Sequence, residues 1–429
     1  MAPLPEPQIA AETVRNWALE HHKWRGSCIN LIPSENIASP AVREMMVTDF
    51  ANRYAEGKPF ERYYCGTRFI DHVETLANDM AKELFRAEHA NVLPLSGSQA
   101  NLAVFYALTV PGDTVMTLDV PSGGHISYMK WGGAGARGLN VEKIPFNPKD
   151  MTVDIDALST ALRRVKPKLV LFGGSVILFP QPVREARAVA DEYGGFVGFD
   201  SAHVLCLLID GIFQDPLREG ADIVSSSTHK TFPGPQGGII FSKASLVEKI
   251  DRAVFPGIVS NHHLHRLAAL AIALAEMRMF GSKYAHQIVR NAKALARALH
   301  EAGLDVLCSH RDFTQTHQVL INVASIGGGR TIAELLEQAN IICNKNLIYV
   351  DDVKNSRNPS GIRLGTQEVT RLGMKESEMK DIAEFISRVA VKKAKPEAVA
   401  IEVEAYMKKF DTVKYTFNEG KAYTYPELH

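Results

Sequence analysis

One lysine stands in a setting that suits covalent chemistry with an aldehyde. Lys230 lies in SSSTHKTFPGPQGG, residues 225–238, between the end of an apolar segment and a turn rich in proline and glycine. A lysine held there, behind Thr228 and His229, can form an imine once an apolar or cationic setting removes the proton from its amine. Most lysines at strand ends are solvated surface charges, so this feature alone leaves both interpretations open.

An aspartate ends another apolar segment. Asp200 opens the motif FDSAH, and a half-buried carboxylate there is costly unless it pairs with a cation. A protonated pyridine nitrogen is such a cation, and His203, three residues later, can share the polar network. The alternative is a helix N-cap aspartate before SAHVL, which the motif alone favours.

Two further motifs indicate a phosphate and a planar ring. In LPLSGSQANLAVFYAL, the backbone N–H groups and hydroxyls of Ser96–Gln99 converge at a predicted helix start, which is typical of phosphate binding. The spacing matches neither GxGxxG nor GxxxxGK[ST], so a nucleotide motif is not supported. In SGGHISY, His125 follows two glycines, where its imidazole can lie flat on a ring; a buried structural histidine is the alternative.

Together the four motifs fit one ligand, a planar aromatic aldehyde with a ring nitrogen and one phosphate. That description is pyridoxal 5′-phosphate. The order of phosphate turn, stacking histidine, strand-end aspartate and lysine is much more specific than any single motif.

The elements that must position these residues follow an α/β rhythm. Short apolar segments at 168–174, 194–200 and 222–230 are separated by helical stretches, as buried parallel strands are. They lead to Ser175, Asp200 and Lys230, and the carboxyl ends of such strands form the ligand crevice of an open α/β sheet. A short strand is predicted over 91–95 and a helix over 101–108.

Length and composition define the remaining frame. The 429 residues predict two or three units: an N-terminal arm (1–50), a large domain (51–285) and a smaller α+β C-terminal domain (286–429). The formal net charge of zero provides no overall field for nucleic acid or an anionic membrane, so any anion must be bound locally. Five scattered cysteines, without a CxxC pair, and no apolar run long enough to span a bilayer predict a cytoplasmic protein.

The chain resembles serine hydroxymethyltransferases, which are fold-type I pyridoxal-phosphate enzymes, and most closely the archaeal-type branch. The motifs that carry this resemblance run through nearly the whole sequence in the same order: LIPSENIASP, NRYAEGKPFERYYCGT, NVLPLSGSQAN, SGGHIS, FDSAH, THKTFPGPQGG, NPSGIRLGT and VTRLGMKE. The resemblance implies a large domain with a mostly parallel seven-stranded sheet. It also implies a homodimer or a tetramer in which each active site is completed by the partner.

The resemblance also implies residue roles. Lys230 would hold the cofactor, Asp200 would pair with its ring nitrogen, and His125 would stack on its ring. Ser98 and Gln99 would bind the phosphate, with His229 nearby. Ser175 and His203 would contact the phenolic oxygen and the surroundings of the ring, while Thr228 would adjoin the imine. Arg363 and Ser34 would bind the substrate carboxylate. Without its motif, Arg363 would be interpreted as a surface residue. Glu56 would be the acid and base at the hydroxymethyl group, with Tyr54, Tyr63 and Tyr64 lining the site.

Departures from the common form of the family leave the one-carbon carrier open. IVSNHHLHR follows FPG where a glycine-rich phosphate segment is usual, so Asn261, His262 and His263 are candidates for the missing contacts. The cluster of His262, His263 and His265 has no acid or cysteine at ligand spacing, and no metal site is predicted. Asn346 matches a family residue near the carrier, but Gln236 stands where the common form of the family has arginine. The carrier would therefore be tetrahydrofolate or tetrahydromethanopterin.

Three functions are therefore compared. The first is reversible hydroxymethyl transfer between L-serine and a reduced pterin. The second is a pterin-independent aldolase or transaldolase for threonine-like β-hydroxy amino acids, or an α-methylserine hydroxymethyltransferase. The third is a catalytically silent binding protein, which the retention of Lys230, Asp200 and Arg363 disfavours.

Overall fold

The largest sheet of the protein contains seven strands. The computed structural model describes residues 4–425. Six strands of this sheet are parallel and one, Gly238–Ser242, is antiparallel to both neighbours, which confirms the predicted α/β class. In spatial order the strands are His89–Asn91, Gly238–Ser242, Ile223–Ser227, Phe196–Asp200, Leu169–Gly173, Thr114–Thr117 and Asn140–Lys143.

A second sheet lies in the C-terminal part of the chain. Its four strands are all antiparallel, in the order Asp305–Val306, Gln318–Asn322, Gly361–Gly365 and Asn344–Asn346. Four short pairs complete the strands of the described residues: Ile29–Asn30 with Ile341–Ile342, Gly57–Lys58 with Glu61–Arg62, Phe146–Asn147 with Thr152–Val153, and Thr412–Val413 with Gly420–Lys421.

Helices cover both sheets. The α-helices of the described residues are Pro7–Gly26, Pro40–Met45, Arg68–Phe85, Gly97–Leu108, Gly133–Ala136, Ile155–Val165, Val183–Ala190, Val247–Arg252, Leu264–Glu301, Gly328–Gln338, Gln367–Arg371, Glu376–Ala390 and Pro396–Met407. Within residues 4–425, no helix is long and apolar enough to cross a membrane.

Two predicted elements near the phosphate motif have different bounds in the structure. The strand predicted over 91–95 lies at His89–Asn91 instead, because the Asn91 side chain accepts the Leu93 N–H and residue 94 is a proline without an N–H to donate. The helix predicted from 101 begins at Gly97, because the Ser96 hydroxyl caps it by accepting the Gln99 N–H. The motif therefore begins at the N-terminus of this helix, with Ser96 as the cap.

One long helix, Leu264–Glu301, belongs to two hydrophobic cores. Its residues up to Ile288 pack in the core around the seven-stranded sheet, whereas those from Ala292 pack in the core of the C-terminal unit. Ile29, Leu31 and Ile37 of the predicted N-terminal arm also pack in the second core. We propose a domain boundary between residues 285 and 286. Residues 1–3 of the arm and 426–429 of the C-terminal domain lie outside the described chain.

A buried ion pair links this helix to the C-terminal segment. Arg371 Nη2 donates to Glu276 Oε2 at 3.0 Å, and both side chains are fully buried. The hydroxyl of Thr416 donates to the other Glu276 oxygen, and Arg371 Nη1 donates to the Tyr415 carbonyl. The pair is therefore hydrogen-bonded on both sides, which is the condition under which a buried ion pair is tolerated.

Removal of one member of this pair should be strongly destabilising. Arg371→Met leaves the Glu276 carboxylate buried without its cation, and we expect the free energy of unfolding to fall by about 3–5 kcal/mol. Urea denaturation followed by fluorescence measures it. Arg330→Met breaks an exposed pair with Glu334 and is the matched control, with an expected change below about 1 kcal/mol. Equal effects of the two variants would contradict the assigned role.

Candidate active site

Lys230 lies at a cavity of about 270 Å³ at the carboxyl ends of the parallel strands. The loop that carries it is closed by backbone bonds: the N–H of Thr228 donates to the Gly237 carbonyl, and the N–H of Gly234 donates to the Thr228 carbonyl. The Thr228 hydroxyl donates to the Pro235 carbonyl at 2.7 Å. The lysine is therefore presented by a rigid loop rather than by a solvated strand end.

Burial lowers the pKa of the Lys230 amine to about 8. The desolvation of the charged amine is the main cause, the nearby Asp200 carboxylate opposes it, and the Arg363 guanidinium adds to it. At neutral pH a larger fraction of this amine is deprotonated than of an ordinary lysine. This satisfies the electrostatic condition that the imine interpretation requires.

The Asp200 carboxylate is held by three donors. The side-chain amide of Asn101 and the hydroxyl of Tyr128 donate to Oδ2 at 2.8 and 2.5 Å, and the Ala202 N–H donates to Oδ1 at 2.9 Å. The local capping interpretation accounts only for the last of these bonds. Burial beside the carboxylate raises the pKa of Tyr128 well above its ordinary value, so this phenol remains a donor. The arrangement stabilises a negative charge at the cavity wall.

A glycine permits this strand end to approach its neighbour. Gly173 has a φ of +86°, and a Cβ there would lie 2.0 Å from the Asp200 carbonyl oxygen. Asp200 pairs with Gly173 on one side and with Ser225 on the other. Any side chain at position 173 would collide with the backbone of Asp200 and displace the strand that carries it.

The candidate phosphate turn lines the same cavity. Ser96, Gly97 and Ser98 face it with Lys230 and His229, and a Cβ at Gly97 would meet Ser227 at 3.2 Å. The Gln99 side chain is used within the protein: Oε1 accepts the Leu95 N–H at 2.6 Å and Nε2 donates to the Ile258 carbonyl at 3.2 Å. Gln99 therefore braces the turn, while Ser98 is exposed and open to a ligand.

His125 and His229 contribute neutral rings to the cavity. The Ser127 N–H donates to Nδ1 of His125 at 3.2 Å, and burial lowers the pKa of this imidazole. Burial also lowers the pKa of His229 to about 4, and its Nδ1 is buried without a partner in the described residues. A buried polar atom of this kind, beside an amine and a helix N-terminus, fits a bound polar group.

Arg363 is a buried cation without an anionic partner. Its side chain is 7% exposed, so the interpretation as a surface arginine is wrong. Nη1 donates to the Ser175 carbonyl at 2.5 Å and Nε to the Asn344 amide oxygen at 3.2 Å, and no carboxylate of residues 4–425 forms an ion pair with it. Burial lowers its pKa to about 10, which leaves it charged at neutral pH. A carboxylate is the group with which a buried guanidinium of this kind pairs most favourably.

Arg363 and Ser175 line a neighbouring cavity of about 250 Å³, with Asn346 on its wall. Ser34 lines a third cavity of about 440 Å³, which shares His229 and Gln236 with the cavity of Lys230. His203 is buried next to Gln318 and His317. The chain thus brings Lys230, Asp200, His125, Ser98, His229, Ser175, His203, Thr228, Ser34 and Arg363 to one connected region.

Tyr54, Glu56 and Tyr64 lie elsewhere on the single chain. They flank a hairpin at Gly57–Arg62 and line neither the Lys230 cavity nor the Arg363 cavity. Tyr54 is 53% exposed and Tyr64 44%. The hairpin is rigid because Arg62 is buried between two carboxylates, Asp71 at 2.7 Å and Glu74 at 2.6 Å. The hairpin therefore has a fixed base, and the two tyrosines beside it are exposed.

One member of the histidine cluster, His262, lies against the base of this hairpin. Nε2 of His262 lies 3.1 Å from the Glu74 carboxylate, and the Asn261 side chain accepts the Ala55 N–H. His263 and His265 stack on each other with ring centroids 5.6 Å apart. In the described part of the chain, no group of three metal-ligating side chains is found.

Five residues that contact the site were not predicted from the sequence: Asn101, Tyr128, His317, Gln318 and Asn344. Asn101 follows Ser98 at helical spacing, a signal that places both on one face of the helix. The others are brought in by contacts between residues distant in sequence, for which no local pattern exists.

A fold of this topology, with a buried lysine of lowered pKa, an aspartate at a neighbouring strand end and a helix N-terminus on one cavity, defines a pyridoxal-phosphate-dependent enzyme of fold type I. The chain belongs to the serine hydroxymethyltransferase family, whose model matches residues 11–386.

The similar proteins agree with this assignment. Serine hydroxymethyltransferase of Methanocaldococcus jannaschii is 55% identical over 416 residues, which cover 96% of this chain and 97% of that protein. That of Methanopyrus kandleri is 55% identical over 410 residues, covering 95% and 96%. Among solved structures, L-threonine transaldolase from Pseudomonas fluorescens, in its internal aldimine state, has a TM-score of 0.88 and 31% identity, covering 98% of this chain and 96% of that one. The predicted family and fold class are confirmed.

The lowered pKa of Lys230 predicts a pH profile. The rate at which the apoprotein forms an imine with an aromatic aldehyde should rise up to about pH 8 and then level off, because only the deprotonated amine reacts. Arg363→Leu removes a positive charge that lowers the pKa of Lys230, so its profile should shift to higher pH. Imine absorbance measures both, with Lys230→Ala as the blank. Coincident profiles for the two proteins would contradict the assigned coupling.

Proposed function

We propose that the chain catalyses the reversible transfer of a hydroxymethyl group between L-serine and a reduced pterin, interconverting serine and glycine. The observation that carries this proposal is the buried Arg363 guanidinium, which lacks an anionic partner in the described residues and is close enough to Lys230 to lower its pKa. An amino acid supplies a carboxylate that Arg363 can bind and an amino group that suits the imine chemistry of Lys230. Membership of the family supports the reaction type.

The residues at the Lys230 cavity fit pyridoxal 5′-phosphate. When bound, this cofactor supplies an electron sink for the bond that breaks at the amino acid Cα. Lys230 would hold its aldehyde carbon, Asp200 would keep its ring nitrogen protonated, and His125 would lie on its ring. Ser98 and the turn fixed by Gln99 would bind its phosphate, with His229 nearby. Ser175, His203 and Thr228 would surround its ring and aldehyde.

Arg363 would orient the substrate. Its fork-shaped guanidinium, fixed by the Ser175 carbonyl, binds a carboxylate through two parallel bonds, and Ser34 adds a hydroxyl. A carboxylate held in this way sets which Cα bond stands perpendicular to the cofactor ring. Arg363 would therefore decide which bond breaks rather than only tighten binding.

Glu56 would move the proton at the hydroxymethyl oxygen, with Tyr54 and Tyr64 beside it. Because the hairpin lies away from the Lys230 cavity of its own chain, we propose that these residues act in the site of a partner subunit in a homodimer. The Arg363 cavity is also lined by Asn346 and by four apolar side chains, Val120, Ile126, Val176 and Leu347. This lining suits a pterin, either tetrahydrofolate or tetrahydromethanopterin. We place the reaction in the cytoplasm, as the free cysteines of the described chain suggest.

A second candidate function is supported by the structural similarity to the threonine transaldolase. The same scaffold would then act on a threonine-like β-hydroxy amino acid, or on α-methylserine, without a pterin. Steady-state kinetics with serine, threonine and α-methylserine, each with and without both pterins, separates these reactions. We expect serine turnover to depend on a pterin. Threonine cleavage faster than pterin-dependent serine turnover would favour the second function.

Two single variants distinguish carboxylate binding from covalent chemistry. Arg363→Lys keeps the charge but loses the two-pronged geometry, so the KM for serine should rise by about tenfold or more. Lys230→Ala should abolish turnover and the absorption band of the imine between the lysine and the cofactor. Arg330→Met is the matched surface control. If Arg363→Lys left the KM for serine unchanged, the assignment of the carboxylate site would be wrong.

Mixing two inactive variants tests the shared site. If Glu56 serves the partner, dimers formed from Lys230→Ala and Glu56→Gln chains contain one site with both residues intact. Random re-association should then restore about a quarter of the wild-type activity. Each homodimer measured alone, at the same total concentration, is the control. No recovery in mixtures shown by native mass spectrometry to contain hybrids would place Glu56 in the site of its own chain.

A further inference from the structure

Gln318 is a fully buried amide that touches three parts of the candidate site. It begins the strand Gln318–Asn322, pairs with Gly365 and has no exposed surface. Its Oε1 accepts the Ile177 N–H at 2.8 Å, and its Nε2 lies 2.9 Å from the Ser175 carbonyl and 3.0 Å from Nδ1 of His203. Each polar atom of the side chain is thus engaged.

The orientation of this amide follows from the chemistry of its backbone partners. The Ile177 N–H can only donate, so it must face the amide oxygen. The Ser175 carbonyl can only accept, so it must face the amide nitrogen. In a flipped amide, the nitrogen would face the Ile177 N–H and the oxygen would face the Ser175 carbonyl. Donor would then face donor and acceptor would face acceptor, an arrangement that is unfavourable for a buried group.

The second proton of the same nitrogen then determines the state of His203. Because Nε2 of Gln318 is a donor, Nδ1 of His203 must be an acceptor and carries no proton. His317 agrees: its Nε2 lies 3.3 Å from the Pro33 carbonyl, which requires a proton there, and 3.5 Å from the same Nδ1. Burial lowers the pKa of His203 well below its ordinary value and that of His317 to about 3, so both rings are neutral.

The Ser175 carbonyl connects Gln318 to the substrate side as well. This oxygen accepts from Nη1 of Arg363 and from Nε2 of Gln318. One buried amide therefore fixes a histidine of the cofactor side and the acceptor that orients the guanidinium. Through His317 the same network reaches Pro33, the residue before Ser34.

We propose that Gln318 is a positioning residue that holds His203 as the Nε2–H tautomer and fixes the Ser175 carbonyl that orients Arg363. The role in substrate orientation rests on the proposed function, whereas the tautomer does not. His203 then presents an N–H at Nε2, for which the described residues offer no hydrogen-bond partner, and this donor is available to a ligand oxygen.

The tautomer is tested by NMR of protein labelled with ¹⁵N at histidine, with His203→Asn to assign the signal. Wild-type protein should show His203 protonated at Nε2. Gln318→Glu places a carboxylate oxygen against Nδ1, which should move the proton to Nδ1. A wild-type ring protonated at Nδ1, or a Gln318→Glu protein whose His203 signals remain those of the Nε2–H tautomer, would overturn the proposal. Turnover is not needed, so this result stands whatever the enzyme's substrate.

The effect on Arg363 is tested by kinetics. Gln318→Met keeps the length of the side chain but loses the bond to the Ser175 carbonyl, so the KM for serine should rise about fivefold. The melting temperature should fall as well, because the buried Ile177 N–H loses its acceptor. Gln315→Met, an exposed glutamine three residues earlier, is the matched control. A KM equal to that of the control, in a Gln318→Met protein that binds the cofactor normally, would refute the positioning of Arg363.

Discussion

The burial of two cations close together is the constraint on which the rest of the site depends. Lys230 and Arg363 both lose water on folding, and each has a pKa below its ordinary value for that reason. Within residues 4–425, only Asp200 offers Lys230 an opposing charge, and Arg363 has no such partner. A chain with zero net charge thus concentrates positive charge at one point. Small anions, a phosphate and a carboxylate, are the ligands that relieve this unfavourable burial.

The fold maintains this arrangement with neutral hydrogen bonds rather than counter-ions. The amide of Asn101 and the phenol of Tyr128 donate to Asp200. The amide of Gln318 donates to His203 and to the Ser175 carbonyl. These bonds orient the groups that would meet the ligands. Neutral donors fix geometry without cancelling the charge that attracts an anion. Preorganisation of this kind avoids a cost of reorganisation when the ligand binds.

Residues at strand ends were predictable from sequence, and residues brought in by long-range packing were not. The apolar segments before Asp200 and Lys230 have a local pattern, so both positions and the parallel sheet followed from periodicity. The burial of Arg363 needed the family motif, because an isolated arginine is usually exposed. Gln318 carries no local signal, since its partners Ile177 and His203 lie more than a hundred residues away. The displaced strand at His89–Asn91 shows that one side-chain cap can override a propensity.

The helix Leu264–Glu301 has a consequence for how the molecule loses its structure. It spans about 57 Å and contributes one end to each hydrophobic core. Neither core can melt alone without exposing the apolar face of a helix that the other core still needs. The shared helix therefore couples the unfolding of one core to that of the other. Lys230 and Arg363, which lie on either side of this shared helix in sequence, lose their relative position in the same transition.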